Sequence, residues 1–210
     1  MIELFIAVLA SLFSVVNPIG AVPVFLSMTA NYTTPVRNKT VLHTSIYFVA
    51  ILLVFFFAGT LILSFFGISI NAMRIAGGLV ILNSGFALLG SKFEETRAIN
   101  KEVTEEALHK NDISFSPLAM PLLSGPGSIS LLISLRAQYA EWPALLVISG
   151  VIVFTGVLVW LILHSAPYLN RVLGVAGMRA LSRIMGFIVM AIAVQYIIGG
   201  VVQLVDSLHK

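Results

Sequence analysis

Residues 40–73 read TVLHTSIYFVAILLVFFFAGTLILSFFGISINAM, a run without a single Asp, Glu, Lys or Arg. A helix crossing a bilayer needs about 20 apolar residues. This run is therefore long enough for one crossing and the start of another. Within it, the Gly/Ser/Asn patch Phe66-Gly67-Ile68-Ser69-Ile70-Asn71 reads as a tight turn between two helices. The same pattern extends in both directions. Residues 4–36, 75–91, 113–135, 142–170 and 184–205 are also free of Asp, Glu, Lys and Arg. Together these stretches predict an all-α integral membrane fold with spans over 3–27, 42–66, 70–90, 114–135, 143–165 and 182–205.

The composition demands the same solvent. The chain is 59% hydrophobic and 10% charged, with a mean hydropathy of +1.03. A soluble domain carries about a quarter charged residues, and a water-soluble fold of this length could not hide so much apolar surface. The net charge of +3 comes from basic residues scattered at segment ends, with no stripe that would suit nucleic acid. There is no cysteine, which excludes disulfides and thiol chemistry. The first apolar segment lacks a basic leader, since Glu3 is its only early charge, and it runs on past Phe25. It reads as a retained helix and not as a cleaved signal.

Charge returns in residues 92–112, which hold four Lys/Arg and six Asp/Glu. Glu106 and Lys110 stand i,i+4, a spacing that supports a short surface helix. This stretch reads as a solvated linker between a first repeat, 1–91, and a second, 113–210. Six spans put both termini on one side with Arg74, Arg136 and Lys210. The other side takes Arg37, Lys39, Lys92, Arg97, Lys101, Lys110, Arg171, Arg179 and Arg183. Basic residues favour the cytoplasm. The expectation is a cytoplasmic linker with both termini outside.

Two landmarks repeat along the chain. Arg74-Ile75-Ala76-Gly77 opens the third predicted helix, and Arg183-Ile184-Met185-Gly186 opens the sixth. Pro18 sits in Asn17-Pro18-Ile19-Gly20 of the first, and Pro126 sits in Ser124-Gly125-Pro126-Gly127 of the fourth. The step from 74 to 183 matches the step from 18 to 126 within one residue. A unit of three helices enters the membrane inverted when it is repeated. Inverted repeats are a frequent plan among secondary transporters.

The two proline motifs carry the chemistry. Proline removes a backbone hydrogen bond and clashes with the preceding turn. Within a membrane the freed carbonyls must find other partners. Breaks are therefore expected at Asn17-Pro18-Ile19-Gly20 and Ser124-Gly125-Pro126-Gly127. Each also suits a new helix start, with Asn17 as N-cap before Pro18, and Ser124 or Gly125 as N-cap before Pro126. Such starts present unpaired N–H groups and a positive dipole end. Two of them approaching from opposite faces would suit a carboxylate or another anion.

Other polar residues fall inside the spans. Asn83 and Gln195 are further candidates for the site. Ser14, Tyr47, Thr60, Ser84, Ser128 and Ser130 carry weaker signals, because intramembrane hydroxyls often bond to their own helix. Arg74 and Arg183 occupy equivalent positions, where they snorkel to the interface or anchor and gate the two halves. Every Asp and Glu lies outside the spans or at their edges. A proton-coupled carrier often holds a carboxylate inside, so proton coupling would need an edge group or the substrate's own ionisation. Backbone carbonyls at the breaks are a candidate sodium site. No metal cluster, catalytic triad or phosphate loop stands out, and the expectation is a protein that is not an enzyme and needs no cofactor.

Val16-Asn17-Pro18-Ile19-Gly20, Arg74-Ile75-Ala76-Gly77-Gly78, Pro121-Leu122-Leu123-Ser124-Gly125-Pro126-Gly127-Ser128 and Arg183-Ile184-Met185-Gly186 resemble the MarC family of inner-membrane proteins. That family includes the small neutral amino acid transporters known as SnatA. The resemblance covers essentially the whole chain. It implies a six-helix protein of the prokaryotic plasma membrane that carries glycine, alanine and similar small amino acids. A zwitterion needs donors for its carboxylate and acceptors for its ammonium. The half-helix starts would supply the donors, and unwound carbonyls with Asn17, Ser124 or Asn83 the acceptors. Export of a drug or toxic metabolite, a channel and a membrane assembly role without transport remain the alternatives from sequence.

Overall fold

The computed structural model describes residues 1–90 and 112–208, whose regular elements are all helical, with no β-strand among the described residues. The expected linker, with its Glu106 and Lys110 pair, lies outside the described residues apart from Asp112. The helices are α1 (Ile2–Val16), α2 (Pro18–Met28), α3 (Thr34–Phe65) and α4 (Ile70–Leu89). An irregular wide-turned segment follows over Ser114–Leu123. After it come α5 (Pro126–Gln138), α6 (Trp142–His164) and α7 (Ala166–Leu208).

Five helical stretches are long and apolar enough to cross a membrane: Ile2–Met28, Thr34–Phe65, Ile70–Leu89, Trp142–His164 and Ala176–Asp206. The wide-turned segment and α5 make a sixth if taken as one span, bent by 67°. Two boundaries differ from those expected. Helix α3 starts well before residue 42, at Thr34, and α7 starts at Ala166, well before 182. The cause is common to both. Hydropathy marks what fits the hydrocarbon, whereas backbone hydrogen bonding continues into the polar interface past Arg37 and Lys39, and past Arg171 and Arg179. Gly174, at φ 60, bends α7 between its leading turns and its apolar stretch. Gly67, at φ 65, makes the reversal between α3 and α4. Ser69 then caps α4 by accepting from the Ala72 N–H at 3.1 Å.

The fourth expected span departs most from a helix. Ser116 (φ −127, ψ 122) and Met120 (φ −135, ψ 125) are extended, and each precedes a proline, Pro117 and Pro121. The proline ring excludes the α conformation from the residue before it. The peptides Ser116-Pro117 and Met120-Pro121 are both cis. Wide turns close its two ends, from Leu118 N–H to the Ile113 carbonyl at 3.2 Å and from Ser124 N–H to the Ala119 carbonyl at 2.8 Å.

Packing is set by glycines. A β-carbon on Gly200 would stand 3.1 Å from the Asn71 carbonyl oxygen, one on Gly78 would stand 3.0 Å from that of Ala193, and one on Gly85 would stand 3.2 Å from that of Gly186. As the positions rise along α4 their partners fall along α7. The two helices therefore run antiparallel with backbones in contact, which small residues permit. Helix α3 packs on α5 and α6, α1 on α6, and α2 on α7. Leu12, Phe25, Phe48, Leu52, Phe56, Leu131, Leu132 and Ile148 fill the middle. Phe57, Leu61 and Phe65 of α3, Leu146 of α6 and Phe187 of α7 point outward and are exposed. A surface this apolar suits lipid and not water.

Candidate functional site

The chain between α1 and α2 turns on one residue. Asn17 adopts φ 45, ψ 63, the left-handed conformation that Asn tolerates better than most side chains. It ends α1 and caps α2 at once. Its N–H donates to the Phe13 carbonyl at 2.8 Å, and its Oδ1 accepts from the Gly20 N–H at 3.2 Å. Pro18 takes the first position of α2, where its missing N–H costs nothing. Asn17 is 1% exposed, and its Nδ2 is buried without a hydrogen-bond partner. Each unsatisfied buried donor of this kind costs about 1–3 kcal/mol, which makes it a point where a ligand acceptor would be welcome.

The start of α5 differs in one respect. Gly125 is the N-cap and has no side chain with which to satisfy the first turn, and Pro126 again occupies the first position. Ile129 N–H reaches the Gly125 carbonyl at 3.2 Å. The N–H groups of Gly127 and Ser128, lying before it, have no intrahelical acceptor. Ser124, fully buried, keeps an unpartnered Oγ immediately before the cap. The dipole of this helix therefore ends on bare donors, whereas Asn17 spends its own oxygen on α2.

A cavity of about 210 Å³ opens at this start. The wall is made by Gly125, Pro126, Gly127 and Ser128 of α5, Pro121, Leu122 and Leu123 before them, and Asn83, Ser84, Ala87 and Leu88 of α4. Val15 of α1 and Val189 of α7 close it. It is smaller than the roughly 300–1,000 Å³ of ordinary small-molecule sites. No Asp, Glu, Lys, Arg or His is among the described residues that line it. Gly127 keeps it tight, since a β-carbon there would stand 3.0 Å from Ile81 Cγ1 and 3.3 Å from Val15 Cγ1.

Of the residues singled out from sequence, Gly125, Pro126, Gly127 and Asn83 share this cavity, and Ser124 adjoins it in the chain. Asn17, Pro18, Ile19 and Gly20 do not line it, although Val15 just before them does. Gln195 is exposed on α7 and does not line it either. The two arginines have different settings. Arg74 is 8% exposed and donates from Nη2 to Gln138 Oε1 at 2.9 Å, tying the start of α4 to the end of α5. Arg183 is exposed. Ser84 and Ser128, weaker candidates from sequence, also line it, whereas Val15, Ala87 and Val189 carried no signal before packing placed them. At the membrane edge, hydrogen bonding from Ser114, whose N–H donates at 2.8 Å, holds the Asp112 carboxyl below the usual range, and His43 and Lys39 add to the effect.

Comparison with known proteins covers the same length of chain. The family model described as MarC family integral membrane protein matches residues 2–205. A membrane protein of Buchnera aphidicola subsp. Acyrthosiphon pisum is 38% identical over 95% of this chain and 93% of its own. An inner membrane protein MarC of Escherichia coli (strain K12 / DH10B) is 34% identical over the full length of both. No solved structure matches. With a family match that spans nearly every residue, from the first helix through the last, the chain belongs to the MarC family of integral membrane proteins.

Proposed function

We propose that the chain is a secondary transporter of small neutral amino acids, glycine and alanine foremost, in the bacterial inner membrane. The observation that carries this reading is the uncharged cavity of about 210 Å³ at the bare start of α5. The Gly127 and Ser128 N–H groups receive the substrate carboxylate there, as helix starts receive anions elsewhere. The cavity's volume, below that of ordinary small-molecule sites, favours the smallest amino acids. The membrane is read from the name of the Escherichia coli relative, an inner membrane protein.

The inverted repeat belongs to the same proposal. Helices α4 and α7 carry the equivalent motifs at Arg74 and Arg183 and run antiparallel. The contacts pair off across that axis: Gly78 meets Ile197, while Gly186 meets Leu88. Positions 88 and 197 are separated by the same step as 77 and 186, so the two contacts are near mirror copies of one interaction. Alternating access follows if one half rocks against the other around the cavity. In this reading both termini lie outside, residues 92–112 are cytoplasmic, a proton or sodium ion drives net flux, and no chemistry is performed on the substrate.

The test is uptake of radiolabelled glycine and alanine by proteoliposomes, with and without unlabelled amino acid inside. Saturable uptake accelerated by the internal load supports a carrier. Folded protein that gives no flux under any gradient refutes it, and non-saturable flux indifferent to the load would mean a channel.

A further inference from the structure

The hydroxyls facing the cavity are already committed as donors. Ser84 Oγ donates to the Val80 carbonyl at 3.1 Å, and Ser128 Oγ donates to the Gly125 carbonyl at 2.9 Å. A hydroxyl has one proton and two lone pairs. With its proton directed into its own helix, each serine meets the cavity as an acceptor only. Asn83 beside Ser84 brings an amide oxygen that can accept as well as N–H groups that donate. Against these stand the Gly127 and Ser128 N–H groups at the start of α5, which can only donate. The cavity is thus divided into a donor end and a wall rich in acceptors, with no formal charge among the described residues of either.

We infer that Ser84, Ser128 and Asn83 form an ammonium-accepting face that restricts this cavity to ligands carrying their own cation beside their carboxylate. The inference rests on the transport reading above and sharpens it. A simple anion would satisfy the donor end and leave the two serine oxygens facing nothing cationic. A ligand with net charge would be buried in a membrane without a counter-charge, which is costly. A zwitterion meets both ends and brings no net charge. Selection between glycine and its hydroxy-acid counterpart glycolate then lies in these three side chains and not in cavity size, because the two ligands are nearly isosteric. Hydrogen bonds to charged groups are strong enough to separate them about ten-fold or more.

The experiment is glycine counterflow in proteoliposomes at neutral pH, with external glycolate or unlabelled glycine as competitor. It is run on the wild type, Ser84→Ala and Ser128→Ala. The expected result is that glycolate competes at least about ten-fold more weakly than glycine in the wild type. Each alanine variant that retains flux should narrow that ratio by raising the glycine KM, with little change in competition by glycolate. A loss of packing alone would weaken both ligands together. Ser84 is exposed and tolerates truncation, so it keeps the test open if Ser128→Ala fails to fold. Glycolate competing as well as glycine, or a ratio unchanged in the variants, overturns the inference while leaving the carrier standing. Absence of glycine counterflow in the wild type overturns both.

Discussion

Val15 and Gly127 meet across the chain's two proline turns: a β-carbon on Gly127 would lie 3.3 Å from Val15 Cγ1. One residue stands two before Asn17 and the other two after Gly125. The contact brings the end of α1 against the start of α5 and closes one wall of the cavity. Adding a methyl at 127 also meets Ile81 Cγ1 at 3.0 Å, which both neighbours can relieve by small side-chain shifts. Gly127→Ala is expected to keep part of the glycine flux and Gly127→Val to abolish it. Both variants should insert normally, as measured by membrane yield alongside proteoliposome uptake. Wild-type flux in Gly127→Val would contradict this geometry.

The α4–α7 seam is expected to bear load of a different kind. A β-carbon on Gly85 would meet Met190 Cγ at 2.5 Å and the Gly186 carbonyl oxygen at 3.2 Å. A backbone atom cannot give way as a methionine end can. Gly85→Leu should push the helices apart and cost about 1–3 kcal/mol, the usual cost of overpacking. Thermal unfolding in detergent checks it, and an unchanged midpoint would mean that the seam is looser than drawn.

The two arginines should separate in the same assay. Arg74 is nearly buried, bonded to Gln138 and packed against Gly200 of α7, so truncating it loses that bond and leaves a gap between α4 and α7. Arg74→Ala is expected to lower the melting temperature clearly. Arg183→Ala, at an exposed site, should stay within about 0.5 kcal/mol of wild type. Gln138→Ala combined with Arg74→Ala should cost less than the sum of the two single changes.

Asn17 carries a conformation as well as a cap. Asn17→Ala loses the bond to the Gly20 N–H and is strained at φ 45, so it should cost about 1 kcal/mol or more. Asn17→Gly loses the side chain but accepts the backbone at no steric cost. The glycine variant should be the more stable of the two, and reversal of that order would remove the left-handed turn from the account.

The apolar, all-helical character of the chain was legible because it rests on composition, which no packing detail can alter. Boundaries at Thr34 and Ala166 were not legible from hydropathy, since helices run on past the hydrocarbon. Pro117 and Pro121, four apart, were a readable signal for the extended residues Ser116 and Met120, and a reading centred on Pro126 passes over them. The cavity was partly legible. Gly125, Pro126 and Gly127 stand out as a motif, and Asn83 stands out as an amide in an apolar helix. Val15, Ala87 and Val189 are ordinary apolar residues whose place in the wall depends on which helices meet. Gln195 has the same chemistry as Asn83 but sits on an outward-facing part of α7, and only helix rotation distinguishes the two.

The chain's lack of cysteine permits the most direct measurement. Asn83→Cys places a single thiol in the cavity wall, and Gln195→Cys places one away from it. Labelling of each by a water-soluble maleimide in proteoliposomes, with and without glycine, tests whether the cavity is the transport site. The account predicts that glycine and alanine slow labelling at residue 83, that a bulky amino acid does not, and that labelling at 195 is indifferent to all three. Labelling at residue 83 that proceeds at the same rate with and without glycine would contradict it.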